Sequence, residues 1–186
     1  MTLEPREELV MSRKISRSLI VAEARSWIGT PYRHQASLKG VGCDCLGLVR
    51  GVWRAVVGEE PERAPPYAPD WAEAAGEETL AQAASRHLIA IPLAPSLSIL
   101  ASPHPDPPPQ AGEGREGADA ARLGWEPGDV LLFRWRAHLP AKHAAILTGP
   151  SLMVHAHDGA AVAEVALAPW WRRRLAYAFR FPGVVD

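Results

Sequence analysis

VGCDCLGLVRGVW, residues 41–53, decides how the rest of the chain is read. It holds both cysteines of the 186-residue chain, one residue apart, ahead of an apolar run. A disulfide between Cys43 and Cys45 would close a very small, strained ring, because bridged Cα atoms need about 4.4–6.8 Å and suitably aimed Cβ vectors. Leu46, Val49, Trp53 and Val56 recur every three or four residues, and Leu48 and Val52 widen the stripe. That spacing predicts an amphipathic helix starting at Asp44 or Cys45 and closed by Gly58. With Asp44 as N-cap, Cys45 falls in the first turn, where unpaired N–H groups and the helix dipole favour an anion. The placement predicts a lowered pKa for the Cys45 thiol; Cys43, outside the helix, lacks that help. Gly47 reads as room for a close backbone approach, as an oxyanion site at a helix N-terminus requires.

Upstream, residues 16–27 carry Leu19, Val21, Ala22, Ala24 and Trp27 at helical spacing, and Gly29, Thr30 and Pro31 end that run. Downstream, PERAPPYAPD (61–70) is a proline-rich loop, and WAEAAGEETLAQAASRHL (71–88) predicts an alanine-rich helix. Residues 92–118 hold seven of the 18 prolines, followed by a glycine-rich, charged stretch. Such a segment forms neither a helix nor a central strand, so it reads as an insertion or long exposed loop.

Beyond it the hydrophobic period changes to two. GDVLLFRW (128–135), HAAILTG (143–149), LMVHAHD (152–158), AVAEVAL (161–167) and LAYAFRF (175–181) are five short strand candidates separated by turn residues. Helices first and sequential strands afterwards predict an α+β fold with an antiparallel sheet.

Composition narrows the function. The net charge is −1, from 20 Lys+Arg against 21 Asp+Glu, and the dense basic run is confined to Arg172, Arg173 and Arg174, which gives no field for nucleic acid. Two cysteines cannot be a disulfide scaffold. The first 27 residues lack the apolar core of a signal peptide, and no stretch of about 18 apolar residues exists to span a membrane. The chain therefore reads as one domain with additions, made in the cytoplasm.

Nucleophilic thiol chemistry needs a reactive sulfur, a base within hydrogen-bond reach and a group that holds the base. His143 opens one strand candidate, and His155 and His157 lie on the next. A hairpin turning at Gly149 and Pro150 brings His143 to the same face as the other two, and parity alone does not choose between His155 and His157. A zinc site of Cys43, Cys45, His143 and His155 is a rival, weakened by C-x-C spacing where structural zinc prefers C-x2–4-C. Trp170 and Trp171 read as core and rim.

The stretch AEARSWIGTPYRHQASLKGVGCDCLGLVRGVW, with PGDVLLF, KHAAILTG and LMVHAH, resembles the NlpC-type cysteine peptidases of bacterial cell walls. With APDWAEAAGEETL and ALAPWWRRRLAYAFRFP, it is similar more narrowly to their phage-like and gene-transfer-agent branch. The resemblance covers about residues 16–91 and 119–183. It implies a single papain-like α+β domain over 16–183, its N-terminal helices packed on a five- to six-stranded antiparallel sheet. Residues 1–15 would then be a flexible extension. It also implies attack on an amide of the peptidoglycan stem peptide, typically a γ-D-glutamyl link to a diamino acid, with no metal or other cofactor. Carried over by position, Cys45 is the nucleophile, His143 the general base and His155 the polar residue that orients it. Tyr32 is a hydrogen-bond donor near the thiol, and Asp44 a capping residue. Leu46 departs from the serine that follows the cysteine in many members. Partners would be stem peptides and phage-like tail proteins, and the site of action the periplasm or cell wall, reached by a phage-like particle or by lysis. Two other expectations compete: a non-catalytic tail, assembly or wall-binding module on the same fold, and a thiol acyltransferase.

Overall fold

A computed structural model describes residues 14–68, 76–93 and 124–185. The chain opens with strand β1 (Ile15–Ser16) and helix α1 (Arg17–Arg25). Ser16 caps α1, its hydroxyl accepting the Leu19 N–H at 3.2 Å. Two short strands, β2 (Ser37–Leu38) and β3 (Gly42–Cys43), pair antiparallel just before helix α2 (Cys45–Val56). Helix α3 (Thr79–His87) leads into β4 (Ile89–Ile91). Then come β5 (Val130–Phe133), β6 (His143–Gly149), β7 (Leu152–His155) and β8 (Ala163–Ala166). A short helix α4 (Pro169–Arg172), β9 (Leu175–Arg180) and β10 (Val184–Val185) close the chain.

The main sheet has six strands in the order β4-β9-β5-β6-β7-β8, every neighbour antiparallel. Helices α1, α2 and α3 cover one face, where Ile20, Leu48, Val52 and Leu80 pack on Val130, Leu132, Ile146 and Val154. Burying a side chain such as Leu48 contributes about 1.5–3 kcal/mol, so this layer is the main support of the fold. On the other face Phe133, Leu147, Met153 and Leu167 form a second core around Trp125. The α+β architecture expected from the sequence is the one observed.

Two glycines let α2 dock. A Cβ on Gly47 would lie 1.9 Å from the Ala36 carbonyl oxygen, and one on Gly51 would lie 2.0 Å from the Trp27 ring. The close backbone approach expected at Gly47 is thus made by Ala36, and the Gly47 N–H is held by Asp44 Oδ1 at 2.7 Å. Asp129 of the PGD motif, fully buried, accepts from Arg17 Nη1 at 3.0 Å, Arg180 Nε at 3.2 Å and the Glu126 N–H at 2.8 Å. It ties α1 and β9 to the start of β5, a structural role.

Three boundaries differ from expectation. The alanine-rich helix starts at Thr79, because Gly76 turns the chain with φ +67°; residues 69–75 lie outside the described ones. Strand β4 has no counterpart among the expected five; it is a three-residue edge paired to β9. Ile15, buried, pairs in parallel with Val184, so the described part of the N-terminal segment is tied to the last strand. Residues 1–13 and most of the proline-rich insert, 94–118, lie outside the described residues. Among the described residues no helix is long and apolar enough to cross a membrane.

Candidate active site

Asp44 organises the N-terminus of α2. Buried, it accepts the Gly47 N–H through Oδ1, and through Oδ2 the Gln35 N–H at 2.6 Å and the Tyr67 hydroxyl at 2.5 Å. The proline-rich loop is thereby fastened to the helix that bears Cys45. Gln35 holds φ +61°, a left-handed conformation that costs a non-glycine residue energy.

Cys45 is partly exposed and its thiol is free. Sγ lies 4.0 Å from the Lys142 carbonyl oxygen, and the N–H groups of Ala144, Leu46 and Cys45 itself turn toward it. The sulfur therefore sits against the backbone on either side of His143. Its hydrogen-bond contact is with that carbonyl rather than with the imidazole. Burial, with the Asp44 carboxylate beside it, pushes the thiol up to about 12, outweighing the three N–H groups. The lowered pKa expected from the helix terminus is thus overturned: desolvation of a thiolate costs more than the first turn returns. Cys43 is fully buried, and burial and Asp44 push its thiol up to about 11.

Tyr32 bridges to Cys43 and is near enough to the thiol that, after burial, Cys45 is the next cause raising its phenol to about 12.

Hydrogen bonding, with β7 ending at His155, decides which imidazole meets His143. Ala145 pairs with His155 across β6 and β7, so His143 and His155 share a face, and His143 Nε2 lies 3.0 Å from His155 Nδ1. His157, beyond the end of β7 and exposed, has its ring 6.0 Å from both the His143 and His155 rings and its Nδ1 3.0 Å from the Asp158 carbonyl oxygen. With Nε2 bonded to His155, Nδ1 is the other ring nitrogen of His143; in the tautomer with Nε2–H donating to His155, Nδ1 is the one that takes a proton. Burial, then the charges of His155 and His157, hold His143 well below the ordinary imidazole range. Burial and His157 push His155 down to about 4. Near neutral pH the site is a protonated thiol beside two neutral imidazoles.

Sequence reasoning missed the aromatic surround of this pair. His143 lies 5.5 Å from the Trp135 ring and 5.4 Å from the Trp171 ring, centroid to centroid. Trp135 beyond β5 and Trp171 on α4 reach the site through tertiary packing alone. The four candidate zinc ligands do not converge: among the described residues no three His, Cys, Asp or Glu side chains gather as a metal site. On the helical face, beside Cys45, lies an apolar cavity of about 350 Å³ lined by Leu46, Val49, Trp53, Leu80, Leu132 and Ala144, among others.

No family model matches the chain, and no curated protein does. Solved structures do match. The chain is similar to an NlpC/P60 family protein from Bacillus cereus ATCC 10987, with TM-score 0.55 and 15% identity over 93% of this chain and 43% of that one. It is also similar to NlpC2 from Trichomonas vaginalis, with TM-score 0.50 and 16% identity over 87% of this chain and 44% of that one. The NlpC/p60 domain of the peptidoglycan hydrolase SagA superposes more loosely, at TM-score 0.48 and 20% identity, over 89% of this chain and 98% of the domain. The chain spans less than half the length of the first two proteins. At these identities the likeness shows the fold, which is the papain-like NlpC/P60 one.

Proposed function

We propose that this protein is a cysteine hydrolase that cleaves an amide of the peptidoglycan stem peptide, the γ-D-glutamyl link to a diamino acid. The observation that carries the reading is the 3.0 Å bond between His143 Nε2 and His155 Nδ1, with Cys45 Sγ 4.0 Å from the carbonyl of Lys142, the residue before His143. The motif resemblance is what supports this substrate class; the NlpC/P60 fold is compatible with it.

The protonated thiol and the neutral His143 define the first step. Cys45 Sγ attacks the carbonyl carbon while its proton passes to His143 Nδ1. A C–S bond forms, the C–N bond breaks, and His143 returns the proton to the departing amine. Water then attacks the thioester, giving a proton to His143, and the C–S bond breaks as the thiol is restored. His155 accepts from Nε2–H throughout and stabilises the imidazolium that forms between the two transfers. Tyr32 donates its phenolic proton near the reacting sulfur. The enzyme acts in the periplasm or cell wall, carried there by a phage-like particle with tail-protein partners or released by lysis.

The test is incubation with defined muropeptides and identification of the fragments by mass. Cleavage between D-glutamate and the diamino acid, lost in Cys45→Ala, supports the reading; intact muropeptides with a folded protein overturn it.

A second reading, thiol acyl transfer, is favoured by the apolar cavity lined by Leu46 and Ala144, chain neighbours of Cys45 and His143. It predicts an acyl thioester on Cys45 that an amine, rather than water, resolves.

A further inference from the structure

Trp171 stands over the bond between the two histidines. Its ring lies 5.4 Å from His143, at an interplanar angle of 26°, and 5.2 Å from His155, at 86°. The two imidazoles are themselves 5.2 Å apart, so the three centroids form a nearly equilateral triangle. Trp135 adds a second one, 5.5 Å from His143 and 5.9 Å from Trp171. These rings stand on the sheet face opposite α2, where Phe133 meets Trp171 edge-on at 5.0 Å.

Helix α4, which carries Trp171, is itself held. Arg172 Nε donates to the Leu167 carbonyl at 3.0 Å and Nη2 to Ser151 Oγ at 3.1 Å, pinning the turn to the β6–β7 connection. Trp171 N–H donates to the Ala168 carbonyl at 2.9 Å. The indole is placed by the backbone on one side and by Phe133 on the other.

We propose that Trp171 is a positioning residue: it seals the His143–His155 hydrogen bond from water and fixes the plane of the His143 ring. The inference rests on the catalytic assignment of His143 made above. An imidazole pair screened by indole keeps a short, strong hydrogen bond, because water does not compete for either nitrogen. Screening also favours the neutral ring, in line with the low pKa of His143. The charged and titratable groups around His143 are His155 and His157 on the β7 side, Cys45 at α2, and its chain neighbour Lys142. Arg134 on the β5 side is paired with Glu78, and Arg172 on α4 is bound as described.

The experiment is an NMR titration of the His143 imidazole in the full chain, comparing wild type with Trp171→Phe, Trp171→Leu and Trp171→Ala. The readout needs no substrate, so it is independent of whether the stem peptide is the target. Trp171→Ala should raise the His143 midpoint toward the ordinary histidine value, Trp171→Phe should restore most of the wild-type behaviour, and Trp171→Leu should fall between them. In parallel, the acid limb of kcat/KM on muropeptides should move to higher pH in Trp171→Ala. An unchanged His143 midpoint in folded Trp171→Ala overturns the proposal. If that variant does not fold, an unchanged midpoint in Trp171→Leu does so.

Discussion

The Tyr67 hydroxyl donates to Asp44 Oδ2 at 2.5 Å, joining a loop 23 residues away to the cap of the helix that presents the thiol. Asp44 also accepts from Gly47 and Gln35, so one buried carboxylate serves three donors. Removing the Tyr67 hydroxyl takes a hydrogen bond from a charged group, worth about 1.5–3 kcal/mol. Tyr67→Phe should therefore lower stability by that order in chemical denaturation while leaving α2 in place by circular dichroism. Asp44→Asn keeps a capping oxygen and removes the charge that helps raise the Cys45 pKa, so alkylation of Cys45 at pH 8 should quicken.

The thiol's own titration is open to direct measurement. With Cys45 pushed up to about 12, its iodoacetamide rate should keep climbing through pH 9 and above, instead of levelling near pH 6. Cys45 should still be modified before Cys43, which is fully buried. A plateau below pH 7 would mean that a thiolate is already formed in the resting enzyme, against the electrostatics described here.

The two bonded histidines should answer unequally to substitution. His143→Ala removes the base of the proposed proton transfer and should abolish nearly all muropeptide hydrolysis. His155→Ala should lose about 10²–10⁴-fold, the span of general acid–base groups, whereas His155→Asn and His155→Gln retain an acceptor and should keep measurable turnover. His157 is exposed and bound to its own chain, so His157→Ala should stay near wild type. A dead His157→Ala beside an active His155→Ala would overturn His155, bonded to His143, as the orienting residue.

Acid should weaken the fold through the same pair. Both imidazoles are depressed in the folded state, His155 to about 4, while the unfolded chain protonates them near 6.5. Between those limits the unfolded state binds more protons, so stability rises with pH through the window and is lost as pH falls from about 6.5 toward 4. Thermal unfolding of wild type at pH 7 and pH 5 should differ by several degrees. The double variant His143→Phe, His155→Leu, if folded, should show a smaller difference.

Much of the fold is legible locally. Ser16 and Asp44 announce the starts of α1 and α2, and the spacing of Leu48, Val52 and Val56 announces the buried stripe. The period of two located all five strand candidates. Strand β4 escaped because Ile89–Ile91 is short and half exposed, and its pairing with β9 lies some 90 residues away. The alanine-rich helix was drawn too long because propensity outvoted Gly76, whose positive φ breaks the run.

At the site, sequence by itself determined which side chains were available: a thiol at a capped helix start and three histidines of one parity on a hairpin. Those are properties of nearest neighbours and strand alternation. What only the tertiary structure decided is everything that depends on distance through space. Parity treats His155 and His157 alike; the 3.0 Å bond to His143 and burial against Trp171 select His155 as its partner. The helix terminus argued for an ionised thiol, yet its packing against β6 reverses that, because desolvation is set by what the rest of the chain brings to the sulfur.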